Sequence, residues 1–364
     1  MPPVCKPSLR LPAKAPLSNS AQSFPLGARI AALLGLTLVA PLVALGAAEL
    51  TLRVIDRTDR DAPWQTRGFH RPDPELIYAM APNAENTMVD DEFVEYSRTN
   101  SLGLRDDEVG DKLGERIIVL GDSLTFGQGV AAKESYPDQL EALFAQEGRA
   151  VDVINAGVKG YGTDQSFRLF SSRLRSLDPD VLVLAFSPTD LFDNFNLSLY
   201  RLDGDVLVAL DAKRHPLYRE GRLLRALPRF LREWRLVRLS APLLARIGAF
   251  NPHEEPGADD IAGWTQRKTR IEIGELVGLG REDDFAVLVL GIPGRAQGPD
   301  QYRWLHDDKP EGVRFLDLSR DRELMRFAER YYFAEDIHLN RAGHRLVAER
   351  LRAKIERSGI LQER

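Results

Sequence analysis

Five short apolar runs constrain this chain more than any other feature. They lie at residues 116–120, 151–154, 181–186, 285–291 and 313–318, and most are rich in β-branched residues. The first is a short β-branched run ending at Gly121, the pattern of a strand covered on both faces, and the other four read as further strands. Helix-patterned stretches fall at residues 136–146 and about 164–177, and a last helix is expected over about 342–358. Strands alternating with helices predict an α/β fold, with a parallel sheet of about five strands between two helical layers.

One segment breaks the alternation. Residues 195–280, between the third and fourth runs, are too many for a plain crossover. Within them Leu223, Leu224, Leu227, Phe230, Leu231 and Trp234 recur at helical spacing. Arg222, Arg225, Arg229, Arg232, Arg235 and Arg238 fill the complementary positions, and Pro228 divides the stretch or starts its second helix. Three readings stand for this helical insertion: an amphipathic helix docked on the core, a cap beside the active site, or a basic face on anionic lipid.

The N-terminus carries the targeting signal. Residues 1–29 hold Lys6, Arg10, Lys14 and Arg29, no acid, and a Pro/Ser/Ala-rich composition expected of a disordered tail. Residues 30–48 carry no charge, and a helix needs roughly 17–25 residues to cross a bilayer. Residues 30–50 are therefore expected to form a transmembrane anchor, Pro41 notwithstanding. Basic residues before the run and mixed charge after it place the N-terminus in the cytoplasm and the rest of the chain outside. A cleaved signal peptide and a buried core helix are the alternatives. Residues 51–115 form an irregular lead-in with short strands, and residues 116–358 form the main domain.

Composition narrows the function classes. The formal net charge of −5 gives no basic signature for nucleic acid. A single cysteine, Cys5, rules out an intrachain disulfide framework and a multi-cysteine zinc site. It precedes the apolar run, whereas a lipoprotein cysteine follows it. Acids and histidines do not cluster at metal-ligand spacing, so no metal or cofactor is expected.

The chemistry gathers at strand ends, where open parallel sheets bind ligands. The first strand leads into Gly121-Asp122-Ser123-Leu124, which puts a serine on a tight turn with its N–H available to an oxyanion. Alone, this serine would equally suit a helix cap. The second strand leads into Asn155-Ala156-Gly157-Val158-Lys159-Gly160-Tyr161-Gly162, whose glycines let backbone approach a ligand or simply turn the chain. The third ends in Ser187-Pro188-Thr189-Asp190, then Asp193 and Asn194, which can supply donors or cap a helix. The fifth leads to Glu335-Asp336-Ile337-His338, with Gly343 ahead of the last helix. An aspartate two residues before a histidine can fix its tautomer and stabilise its cation, as a serine's base requires. His344 reads as a surface or packing residue, and His70, His215, His253 and His306 have no obvious partners.

Together these blocks resemble the SGNH (GDSL-like) hydrolase family over roughly residues 90–358. Asn100-Ser101-Leu102-Gly103-Leu104-Arg105, after an apolar anchor, further resembles the bacterial membrane-anchored members. The resemblance implies a three-layer, flavodoxin-like domain and a serine esterase, with Ser123 as nucleophile, His338 as its base and Asp336 orienting His338. Many members carry the acid three residues before the histidine, where Glu335 stands. The oxyanion hole would comprise the N–H groups of Ser123 and Gly160 with a side-chain donor at Thr189. The family places asparagine there; Asn194 is the other candidate donor. The implied substrate is an acyl ester, with an acetyl group on a cell-envelope or extracellular glycan as the finer expectation. Alternatives are O-acyl transfer in polysaccharide modification, or a non-catalytic glycan-binding protein of the same fold.

Overall fold

In the computed structural model the described residues are 25–55, 69–232, 234–247, 260–295, 298 and 300–361. Most of the expected tail, with Cys5, lies outside them, as does His253. The chain divides into two compact units, Met1–Arg57 and Thr58–Arg364.

The described part of the first unit is a continuous helix. It is α-helical over Leu26–Leu34 and Ala40–Ile55, with a wider π turn over Gly35–Val39. Pro41 has no N–H to give to the carbonyl four residues earlier, and within the π turn just before it the N–H of Ala40 donates to the carbonyl of Gly35. Leu33, Leu36, Leu42 and Val43 are exposed on it. By length and composition Leu26–Val54 can cross a membrane, which suits an anchor or a signal sequence alike.

The described part of the second unit opens with two hairpins, β1 (His70–Asp73) with β2 (Ile77–Met80), and β3 (Glu85–Val89) with β4 (Val94–Arg98). The central sheet follows: β5 (Glu115–Gly121), β6 (Val151–Gly157) and β7 (Val181–Phe186). A further hairpin, β8 (Tyr200–Asp203) with β9 (Val206–Ala209), comes next. The sheet is completed by β10 (Ala286–Gly291) and β11 (Arg314–Asp317). Its order is β11-β10-β7-β5-β6, parallel throughout. The five strands are the five apolar runs of the sequence.

Period-two alternation within the buried strands makes the three layers. Ile118, Leu120, Ile154, Leu182, Leu184, Val287 and Val289 face one core, with Phe126, Phe170, Ile273, Leu276 and the lead-in residues Leu76, Ile77 and Tyr78. Ile117, Val119, Val153, Val181, Val183, Leu288 and Leu290 face the other, against the helices Tyr136–Gln146 and Arg341–Ser358. Each of these helices has a side-chain cap. Ser135 Oγ accepts from the N–H of Asp138, and Asn340 Oδ1 accepts from those of Ala342 and Gly343.

Between β7 and β10 the chain is not only helical. It runs through helix Asp190–Asn196, the β8–β9 hairpin, and helices Pro216–Ala226, Arg229–Arg232, Arg235–Ala245 and Ile261–Asp283. Pro228 separates two helices. Leu224 is buried but Phe230 is exposed, so the apolar stripe is only partly covered. Helix Ile261–Asp283 belongs to the central architecture, burying Ile273 and Leu276 under the sheet.

Candidate active site

The turn after β5 carries Ser123. Gly121 and Gly157 are register partners at the ends of β5 and β6. A Cβ on Gly157 would lie 2.3 Å from the main-chain nitrogen of Phe126, so only glycine lets β6 end beneath this turn. Asp122 fixes the turn from the other side: Oδ1 accepts from the N–H of Leu124 at 2.8 Å, and Oδ2 accepts from Ser187 Oγ at 2.8 Å.

Ser123 Oγ lies 2.6 Å from Nε2 of His338. On the other side of the ring, Nδ1 lies 2.5 Å from Asp336 Oδ1, which also accepts from the N–H of His338 at 2.8 Å. The intervening Ile337 is exposed, so the segment bends to bring its two neighbours together. Glu335 is exposed, and the carboxylate on Nδ1 is that of Asp336. The hydrogen bond with His338, aided by the His338 and Lys159 charges, holds the Asp336 carboxyl below its ordinary value against partial burial.

Gly160 sits beyond β6 with φ +75°, a conformation that favours glycine. Tyr78 Oη donates to the carbonyl of Lys159 at 2.9 Å, fixing the peptide that ends in the N–H of Gly160. The Lys159 ammonium pairs with Glu95 at 2.9 Å, and Glu95 Oε2 accepts from the N–H of Gly129 at 2.8 Å. Burial pushes the Glu95 carboxyl up, but the Lys159 charge, the Ser97 hydroxyl and Arg105 together hold it below its usual range.

Thr189 lies beside the Ser123 turn but its hydroxyl is engaged. Oγ1 is 2.9 Å from Ser187 Oγ and 3.4 Å from Asp122 Oδ2. Asn194 is fully buried: Nδ2 donates to Thr163 and Thr269, and Oδ1 accepts from the N–H of Asp164. It braces helices and does not reach the site. Burial and the Asp122 charge push the carboxyls of Asp190 and Asp193 upward, Asp193 to about 7.

The remaining described histidines have structural partners. Nδ1 of buried His344 accepts from the N–H of Tyr136, and burial pulls its pKa down to about 3. His215 meets the carbonyl of Asn196, and His306 meets Asp317.

The supporting residues Arg105, Glu95 and Tyr78 escaped the sequence reading as site residues. Arg105 closes the Asn100–Arg105 motif and is fully buried. Its Nη1 donates to the carbonyls of Phe126 and Gly127, and its Nη2 to that of Val130. The motif was visible; that its arginine reaches the turn after Ser123 was not.

A parallel α/β sheet in which the turn after an interior strand, β5, presents a serine to a histidine–aspartate pair has the architecture of a serine-type ester hydrolase. Residues 119–346, well over half of the chain, match the model of the GDSL-like Lipase/Acylhydrolase family. The chain belongs to that family and is an SGNH-type ester hydrolase. No curated protein matches it. Among solved structures it is similar to an α/β hydrolase enzyme from the metagenome of Lake Arreo, at 18% identity and TM-score 0.39, covering 70% of this chain and 100% of that one. It is also similar to the psychrotrophic esterase EstA from Pseudoalteromonas sp., at 12% identity and TM-score 0.38, covering 67% and 98%. A third similarity is to a family 3 carbohydrate esterase of Clostridium thermocellum, at 15% identity and TM-score 0.36, covering 67% and 96%.

Proposed function

We propose that this ester hydrolase works through an acyl-enzyme on Ser123, with His338 as general base and Asp336 as its orienting acid. The observation that carries this reading is the unbroken contact series from Ser123 Oγ through His338 to Asp336. Ser123 Oγ attacks the ester carbonyl as Nε2 of His338 takes its proton, and Asp336 stabilises the imidazolium. The tetrahedral oxyanion is held by the N–H groups of Ser123 and Gly160. Thr189 contributes its hydroxyl only by giving up its bond to Ser187. Collapse expels the alcohol, which receives the proton from His338. Water then attacks the acyl-enzyme, losing a proton to His338, and the acid leaves as Ser123 is reprotonated.

The substrate in this reading is a short acyl ester, an acetyl group on an envelope or extracellular glycan. The N-terminal helix would hold the hydrolase at the outer face of the membrane as a single-pass anchor. Its support is the basic flank Lys6, Arg10, Lys14 and Arg29 before the apolar span. Hydrolysis of p-nitrophenyl acetate by the full-length protein in detergent tests the catalytic reading, with Ser123→Ala and His338→Ala alongside. Activity lost in both variants supports it; activity kept by Ser123→Ala defeats it. Product analysis with an acetylated glycan and a sugar acceptor then separates hydrolysis from transfer.

A further inference from the structure

The lead-in hairpin does more than cover the core. Glu92 sits in the turn between β3 and β4, and its carboxylate receives three consecutive main-chain N–H groups. Oε1 accepts from Ala334 at 2.6 Å, and Oε2 accepts from Glu335 at 2.8 Å and Asp336 at 2.9 Å. These amides belong to the loop that brings Asp336 to His338. The next residue, buried Phe93, sets its ring 4.9 Å from that of Phe333 at the start of the loop. From the opposite side Arg295 Nη1 donates to the carbonyl of Phe333 at 2.9 Å and to that of Ala334.

A short loop would otherwise sample many conformations, and Asp336 must stand within hydrogen-bond reach of Nδ1 of His338. Three charge-assisted bonds to one carboxylate remove that freedom. Glu95, three residues on in β4, pairs with the Lys159 ammonium and accepts from the N–H of Gly129. One hairpin thus touches the acid loop, the oxyanion loop and the nucleophile loop.

We propose that Glu92 is a positioning residue for the reaction, acting on catalysis through the placement of Asp336. This inference rests on the serine–histidine–aspartate reading. An ionised carboxylate only accepts, whereas a glutamine would turn an NH2 group toward at least one of the three donors. Displacing a catalytic group by about 1 Å can cost on the order of 10²-fold in rate.

The test measures kcat and KM for p-nitrophenyl acetate on full-length wild type, Glu92→Gln, Glu92→Asp and Ser123→Ala. Enzyme is counted by titration with a p-nitrophenyl phosphonate, so that only folded, competent sites enter kcat. For Glu92→Gln the expected kcat falls roughly 10- to 100-fold with KM within about threefold. Glu92→Asp, which keeps the charge on a shorter stem, should recover part of that loss. Should Glu92→Gln fail to fold, Glu92→Asp carries the test, with a smaller fall in kcat at unchanged KM. Wild-type kcat per titrated site in the variant that folds overturns the proposal. Ser123→Ala stands apart: its inactivity upholds the underlying reading, and activity there sinks that reading whatever Glu92 does.

Discussion

The guanidinium of Arg105 donates to the main-chain carbonyl of Gly127 at 2.8 Å, four residues beyond Ser123. The same side chain holds the carbonyls of Phe126 and Val130 and lies over the Phe126 ring at 4.7 Å. The lead-in is therefore part of the support of the turn that carries Ser123. Arg105→Ala takes this donor from the buried carbonyls of Phe126 and Val130, each at about 1–3 kcal/mol, while that of Gly127 keeps the N–H of Val130. The expected loss is about 3–5 kcal/mol in urea unfolding. Arg105→Lys should recover little of it, because an ammonium cannot fork across three separated carbonyls. A loss under about 1 kcal/mol would show that the turn stands without the lead-in.

Thr189 has one hydroxyl proton, and the bond with Ser187 beside Asp122 engages that hydroxyl. Removing the hydroxyl with Thr189→Val is expected to change kcat less than about threefold, well short of the 10²–10³-fold typical of losing a working oxyanion donor. Thr189→Asn, which supplies an NH2 donor, is expected to raise kcat. Steady-state kinetics on both variants decides: a loss of about 100-fold in Thr189→Val would put the hydroxyl on the oxyanion.

Asp193 gives a pH dependence with a definite sign. Its pKa is raised from 3.8 to about 7 by burial and by the Asp122 charge. Between those values the folded chain keeps a proton that the unfolded chain has released. Its contribution is most favourable below the lower value and is lost as pH rises to the upper one, at up to about 1.4 kcal/mol per pH unit. Asp193→Asn is expected to remove this slope. Denaturant unfolding of both proteins at pH 4, 5.5 and 7 reads the difference, and parallel profiles would contradict it.

Lys268 and Asp164 form an ion pair at 2.7 Å with both side chains fully buried. It ties helix Ile261–Asp283 to helix Thr163–Leu169, and Asp164 Oδ2 also accepts from the N–H groups of Leu199 and Tyr200. Lys268→Met strands a buried carboxylate and should destabilise by about 3–5 kcal/mol. Activity per folded molecule at 25 °C should stay within about twofold, because neither side chain bonds to Ser123, His338 or Asp336. A thermal melt with phosphonate titration checks both halves.

Much of the fold was legible because the inner strands of its central sheet are buried on both faces. Runs such as Val181–Phe186 are apolar throughout, and that pattern needs no partner to be recognised. Helix Tyr136–Gln146 was equally plain, with Ser135 before it and Pro137 in its first turn. The β8–β9 hairpin was overlooked although Asp203-Gly204 and alternating neighbours announce a turn, with Gly204 at φ +64°. Ser123, Asp336 and His338 were legible from local blocks. Glu92 was not, because its role depends on a turn meeting a loop more than two hundred residues away. A single acidic residue in a polar turn carries no local mark of such a partner. Asn194 is the converse: its residue type suggested an oxyanion donor, yet its bonds to Thr163 and Thr269 commit it to the interior.

The central claim is that Ser123 carries the acyl group. The full-length protein would be acid-quenched during p-nitrophenyl acetate turnover, digested, and its peptides mapped by mass spectrometry, with His338→Ala and Ser123→Ala in parallel. The account predicts an acetyl group on Ser123 in the wild type, its absence in Ser123→Ala, and little in His338→Ala. An unmodified Ser123 peptide throughout turnover, with Ser123→Ala hydrolysing at the wild-type rate, would contradict it.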